Sequence, residues 1–166
     1  EKIDGYIIPK NDEFFGEYTP DYNDRLNFIS GFTGSYGFAL VLKNKNYLFV
    51  DGRYTLQANN QSGKFFKIIT IPNKMPSDIL KEKKLSIGFD PNLFTEISLF
   101  IFFGKNKIKL KPIFQNLIDK IWKRKIVKSK SKFYLLPSEA ADERYQLKVN
   151  KIAKYLKKKR SDFLFV

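Results

Sequence analysis

Catalysis near neutral pH needs groups that move protons, attack or hold charge, and this 166-residue chain is short of them: it has no His and no Cys. Without His there is no Ser-His-Asp or Cys-His nucleophile, no imidazole metal ligand and no ordinary general base. Without Cys there is no thiolate metal site and no disulfide framework. Any chemistry must come from Asp, Glu, Lys, Tyr, Ser or Arg. Asp51 and Asp90 close the strand-like runs YLFVD and LSIGFD, and ligands of α/β sheets bind at strand carboxyl ends. Two carboxylates there would hold Mg²⁺ for phosphoryl transfer, a nuclease reading. The plainer reading is preferred. It makes Asp51 a helix N-cap accepting the N–H of Arg53 or Tyr54, and Asp90 a turn residue before Pro91. Asp12, Glu13, Glu17, Asp21 and Asp24 crowd one segment, without the spacing of a metal loop, and read as a solvated loop. No metal site is expected in this chain.

Two tight corners remain, SGFTGS at 30–35 and DGRY at 51–54. Gly31 and Gly34 permit positive φ or close backbone approach. Ser30, Thr33 and Ser35 suit hydrogen bonds to the turn's own backbone. Phe32 between the glycines is either a plug into the core or an exposed anchor. Gly52 lets the chain pass from a buried strand into a helix. Arg53 is then left near the strand's carboxyl end, as an anion-binding group or as an ion-pair partner of Asp51 or Asp24.

The elements that must position these corners follow from periodicity. GYIIP (5–9), YGFALVL (36–42), YLFV (47–50), FFKIITI (65–71), LSIGFD (85–90) and KIKL (107–110) read as strands. The second and third form a hairpin through KNKN, and YLFV, apolar at every position, is expected to be buried on both faces. DRLNFIS reads as a short helix capped by Asp21 or Asn23 and ended by Gly31. DGRYTLQANNQ (51–61) reads as a helix with Tyr54, Ala58 and Gln61 on one side. SDILKEK follows Pro76 with Ser-Asp cap chemistry. TEISLFIFF (95–103) is a helix or a buried segment, and QNLIDKIW (115–122) is helical by period. Strands alternating with helices, plus one hairpin, predict an α/β domain with a mixed sheet flanked by helices.

The formal charge is +14, and all of it falls in residues 81–166. Twenty-six of the 31 basic residues are Lys, scattered over several elements. Arg, the bidentate reader of phosphate and guanine, is scarce. A solvated Lys-rich surface is therefore preferred to a nucleic-acid site. The longest dense apolar run, SLFIFF, is far too short to span a membrane. KRKIVKSKSKFYLLP (123–137) reads as a linker. Ser138–Lys159 reads as an amphipathic helix, with Val149, Ile152, Ala153 and Leu156 on one face. Glu139, Asp142 and Glu143 fall in its first turns and Lys157–Arg160 in its last, as the helix dipole favours. SDFLFV then reads as a strand. Its likeness to the opening KIDGYIIP suggests that a second copy of the unit begins there, with chance similarity the competing account. The expected organisation is a domain over 1–125, a linker over 126–137, and over 138–166 the helix and first strand of a second, truncated domain.

The succession DGYIIP, EYTPDYNDRLNFISGFTGSYGFALVL and YLFVDGRYTLQA, continued through GFDPNLFT and NLIDKIW, resembles the N-terminal domain of Xaa-Pro aminopeptidases in the creatinase/prolidase family. Tyr36 stands where a smaller residue is common, and PSEAADER matches the family only loosely. The resemblance implies a ribonuclease-H-like α/β fold. It implies a parent enzyme that releases the first residue of peptides with proline in second position. The chemistry would lie in a C-terminal domain with two metal ions, often manganese, held by Asp, His and Glu. This chain alone would be inactive and without a cofactor. Its implied partners are its own catalytic domain, a second subunit in a homodimer, and proline-containing peptides. Membranes are not implied, and the expected compartment is the cytoplasm. By the same resemblance Phe32, Thr33, Gly34 and Arg53 lie near the neighbouring subunit's substrate. Ser30, Gly31, Ser35, Asp51, Gly52, Tyr54 and Gln57 complete the structural motif. The rival remains a basic nucleic-acid-binding or Mg-dependent nuclease module.

Overall fold

Strands that are apolar at successive positions must be covered on both faces, and the architecture follows from that need. The computed structural model describes residues 2–81, 84–104, 107–124, 132, 134 and 136–164. Contacts divide the chain into two units, Glu1–Val127 and Lys128–Val166.

The first unit is a six-stranded mixed sheet. Its strands are β1 (Gly5–Pro9), β2 (Gly37–Leu42), β3 (Asn46–Asp51), β4 (Lys67–Ile71), β5 (Ser86–Phe89) and β6 (Lys109–Pro112), in the order β4-β3-β2-β1-β5-β6. Only β2 pairs antiparallel with both neighbours, so the other five share one direction and one carboxyl edge. Side chains alternate between faces with period two. Ile7, Phe38, Leu40, Phe49 and Ile69 join one core, with Leu80, Leu93 and Phe103 over them. Tyr6, Ile8, Ala39, Leu48 and Val50 join the other, under Leu26, Phe32, Ala58 and Ile118. Phe38 stacks on Phe49 at 4.7 Å and on Phe102 at 4.2 Å.

Among the described residues, six helices follow from local signals, with bounds that differ from the periodic reading. Helix α1 (Arg25–Ser30) is capped by Asp24, whose side chain accepts from Asn27 N at 3.0 Å. Asp21 and Asn23 do not cap it, because Asp21–Asn23 forms a 3-10 turn of its own. Gly31 ends α1 at φ 73°, the left-handed geometry that glycine takes without steric cost. After β3 the chain makes a 3-10 turn, Gly52–Tyr54, before α2 (Thr55–Ser62) begins. Helix α3 is the short Pro76–Ile79. Ser77 and Asp78 lie inside its first turn, and Asp78 accepts from Met75 N at 2.8 Å. Helix α4 (Glu96–Phe103) is capped by Thr95. It is a helix and not a buried segment: Ile97, Phe100 and Ile101 are exposed. Helix α5 (Leu117–Ile121) is capped by Asn116. Strand β6 lies two residues later than KIKL, so Pro112 ends it at the sheet edge, where a missing N–H is tolerated.

The second unit holds a 3-10 turn, Ser138–Ala140, and α6 (Tyr145–Lys159). The long helix expected from Ser138 starts only at Tyr145, because Arg144 has an extended ψ of 138°. Glu139, Asp142 and Glu143 therefore precede it. None of its residues is buried, and its apolar face, including Val149 and Ile152, stays exposed within this unit. Residues 161–164 form no strand. Most of the expected linker, and the last two residues of SDFLFV, lie outside the described residues.

One charge cluster ties α1 to α5. Arg25 donates from Nε and Nη2 to the two oxygens of Asp119 at 2.9 and 2.8 Å. Arg124 donates to the same carboxylate at 2.7 Å and lies over Trp122, which stacks on Phe28 at 4.7 Å. Burial alone would raise the Asp119 pKa, but the hydrogen bonds and charges of Arg25 and Arg124 outweigh it and hold it low. Such a carboxylate stabilises fully above the ordinary Asp value of about 3.9, and the contribution is lost as pH falls through the folded value. Asp119→Ala strands a buried guanidinium. It should cost about 2–4 kcal/mol in urea melts at pH 7, less than a fully buried pair because the Asp119 side chain is 35% exposed. The gap between wild type and Asp119→Asn should close in acid. A gap that stays constant through the titration would refute the ionic origin.

Candidate functional site

The two corners meet at the carboxyl edge of the sheet. Ser30 Oγ donates to Leu26 O at 2.6 Å and accepts from Phe32 N at 3.1 Å, which turns the chain out of α1. Phe32 then points inward and is 0% exposed. Of its two readings the core plug is the one found, and its ring shapes a surface only through the loop it holds. Gly34 is glycine for this reason, because a Cβ there would collide with the Phe32 ring, whereas one at Gly37 would crowd Phe49 O of the paired strand at 2.8 Å and then the Phe32 ring at 3.3 Å. Tyr54 meets Phe32 edge-on at 5.9 Å.

The loop is also bonded to the helix that follows DGRY. Gln57 and Gln61 each donate from Nε2 to Thr33 Oγ1 at 2.9 Å, and Thr33 N donates to Gln61 Oε1 at 3.0 Å. Ser35 Oγ and the Tyr54 hydroxyl are 2.7 Å apart. One corner is thus docked onto the helix that starts at the other. Gln61 was not among the expected motif residues, although its place four residues after Gln57 puts both on one helix face. Ala58 lies toward the core instead.

Asp51 caps the Gly52–Tyr54 turn by accepting from Arg53 N at 2.9 Å, and also takes the Arg53 guanidinium at 2.7 Å. The side-chain hydrogen bond from Arg53 holds the Asp51 carboxyl below its usual range. Arg53 still leaves 74% of its side chain in solvent and lies 5.2 Å from the Tyr54 ring centre. Asp24 is not its partner, being paired with Lys10 at 2.5 Å. Asp51 and Asp90 do not form a metal pair. Two strands lie between β3 and β5, which separates the two carboxyl ends by roughly 14 Å at normal strand spacing. Asp90 is 5% exposed and accepts from Asn92 N at 2.9 Å and Asn116 Nδ2 at 2.8 Å. The acidic segment is not wholly solvated either: Asp12 and Asp24 are buried, and Asp12 accepts from Phe14 N at 3.1 Å. Among the described residues no group of three or more His, Cys, Asp or Glu is placed to hold a metal ion. These residues do not fit a two-metal centre.

Between the corners and the 10–19 loop lies an open cleft of about 570 Å³. Its walls include Lys10, Phe15, Glu17, Ser35, Tyr36, Asp51 and Arg53. Thr33, Gly34 and Phe32 stand behind it and do not line it. Gly34→Ala should lower stability by about 1–3 kcal/mol, because the Phe32 ring must leave its seat. Thr33→Val should cost about 1 kcal/mol, by removing the acceptor of both glutamines. Thermal melts of the two variants measure this, and wild-type stability in Gly34→Ala would contradict the packing.

Comparison with known proteins places this geometry. Residues 1–101 match the creatinase/prolidase N-terminal domain. A probable Xaa-Pro aminopeptidase P of Blastomyces gilchristii is 33% identical over 96% of the chain and 28% of its own length. The chain thus spans about a quarter of that relative. The crystal structure of an X-prolyl aminopeptidase from Caenorhabditis elegans, described as a cytosolic enzyme with a di-nuclear active site, superposes with a TM-score of 0.79. It is 29% identical over 98% of this chain and 28% of that one. The N-terminal domain of the cytoplasmic peptidase PepQ from Mycobacterium tuberculosis shares the fold, with a TM-score of 0.55 and 20% identity over 72% of this chain and 88% of that one. By its sheet, its two corners and these matches, the chain belongs to the creatinase/prolidase N-terminal domain family.

Proposed function

We propose that this chain is the non-catalytic N-terminal part of a metal-dependent Xaa-Pro aminopeptidase, serving subunit assembly and the covering of the active site. The observation that carries this is the match to aminopeptidase P over 96% of the chain, in a sequence with no His. The parent's two divalent ions, often manganese in this family, would be held by Asp, His and Glu beyond this chain. The activity would be release of the first residue from peptides with proline second, in the cytoplasm, by a homodimer. Residues 138–166 would open a second creatinase-like domain after the linker. The exposed apolar face of α6 supports this, because such a face needs a partner.

The carboxyl-edge cleft is the surface that would approach the neighbouring subunit's active-site mouth. Arg53 keeps 74% of its side chain in solvent there, and Thr33 and Gly34 hold the cleft's wall from behind. A nucleic-acid role finds little support at this edge, because the ionised groups of the cleft, Lys10 and Arg53 against Glu17 and Asp51, cancel.

The purified 166-residue chain should show no turnover of a Gly-Pro-type peptide with any divalent metal, whereas the full-length protein should cleave it. Turnover by the chain alone would sink the non-catalytic reading. Phe32→Ala in the full-length protein should cost about 3–5 kcal/mol of domain stability and weaken substrate use through the loosened loop. Denaturant melts paired with initial rates check it.

A further inference from the structure

We infer that Tyr36 and Phe15 form the contact for the peptide segment beyond the proline, selecting an uncharged, apolar residue there; this rests on the active-site-covering reading above. Both rings line the cleft, and Tyr36 is 49% and Phe15 50% exposed. Neither is there to fill the core, since both core faces are already packed by other residues.

Phe15 is held at φ 52°, a conformation rarely taken by a bulky side chain. The loop that imposes it is well tied. Asp12 accepts from Phe14 N, Asn23 Nδ2 donates to Asp12 at 3.3 Å, and Thr19 Oγ1 donates to Lys10 O at 2.9 Å. An exposed ring kept in a strained backbone by such a loop points to use rather than to packing.

The charges say what kind of ligand fits. Lys10 is paired with Asp24 and Arg53 with Asp51, and Glu17 adds a carboxylate to the lining, so within a chain of net charge +14 this cleft is neutral to slightly acidic. A polyanion gains nothing from it, and an acidic side chain must compete with Asp51 for Arg53. Aromatic walls with paired charges instead suit an extended peptide carrying apolar side chains, and aromatic-lined grooves are the usual seat of proline-rich, polyproline-II-like segments. A peptide whose second residue is proline already leaves the scissile bond in that conformation.

The test uses the full-length protein and two substrates identical through the proline, a dipeptide amide and a pentapeptide with Leu in the third and fourth positions. The ratio of kcat/KM, pentapeptide over dipeptide, should fall roughly three- to tenfold in Tyr36→Ala, the scale of one aromatic contact. The change should appear in KM, and Tyr36→Phe should restore it. Replacing both Leu by Asp should lower the wild-type ratio by a similar factor. Tyr36 is half exposed, so folding is not at stake, and equal melting temperatures confirm that. An unchanged ratio in Tyr36→Ala, with cleavage intact, overturns this inference and leaves the proposed function standing. Absence of any Xaa-Pro cleavage overturns the proposed function and this inference with it.

Discussion

The burial of Phe32 is the contact on which the carboxyl edge depends. A ring that must sit under the sheet's rim forces the chain out of α1 through Gly31, forbids a Cβ at Gly34 and crowds Gly37. It also brings Thr33 over α2, where two glutamines share its hydroxyl. Full burial of a Phe is worth roughly 1.5–3 kcal/mol, and each exposed hydrogen bond around it less. The apolar term therefore sets the loop, and the polar network fixes its register on the helix.

The same edge gathers most of the paired charge of the first unit. Lys10–Asp24, Arg53–Asp51 and the Arg25–Asp119–Arg124 cluster all lie near strand carboxyl ends or the helices that follow them. In other α/β sheets this position supplies catalytic carboxylates. Here Asp12, Asp24, Asp51, Asp90 and Asp119 each cap a turn or neutralise a cation, and no imidazole is present to share a metal. On the proposed reading, this tightly bonded edge positions something supplied by another part of the protein.

On the proposed reading, a chain that spans about a quarter of its relative's length acts through what it presents outward. Its inward residues explain the fold and reach a substrate only through the loops they hold. The outward ones, Tyr36, Phe15 and Arg53 around the cleft, have no structural debt that accounts for their exposure, apart from the Asp51 pair. On the proposed reading they are the parts that meet a peptide, and the corners behind them are the mounting.

The sequence alone determined the six strands of the sheet, their burial on two faces, the absence of catalytic imidazole and thiol, and the family resemblance, because these depend on composition and on short-range period, although SDFLFV, read the same way, forms no strand over 161–164. YLFV had to be covered on both sides, and Gly31 had to end a helix, wherever they lay in space. Helix ends were less legible. Asp24 won the cap of α1 because its carboxylate reaches Asn27 N, and Arg144 broke the long C-terminal helix, and neither choice is written in hydrophobic period. Only the tertiary structure decided that Phe32 plugs the core, that Arg53 pairs with Asp51 while Asp24 takes Lys10, and that Asp51 and Asp90 stand apart. Those outcomes rest on strand order and on which side chains meet in space, and a linear pattern carries neither.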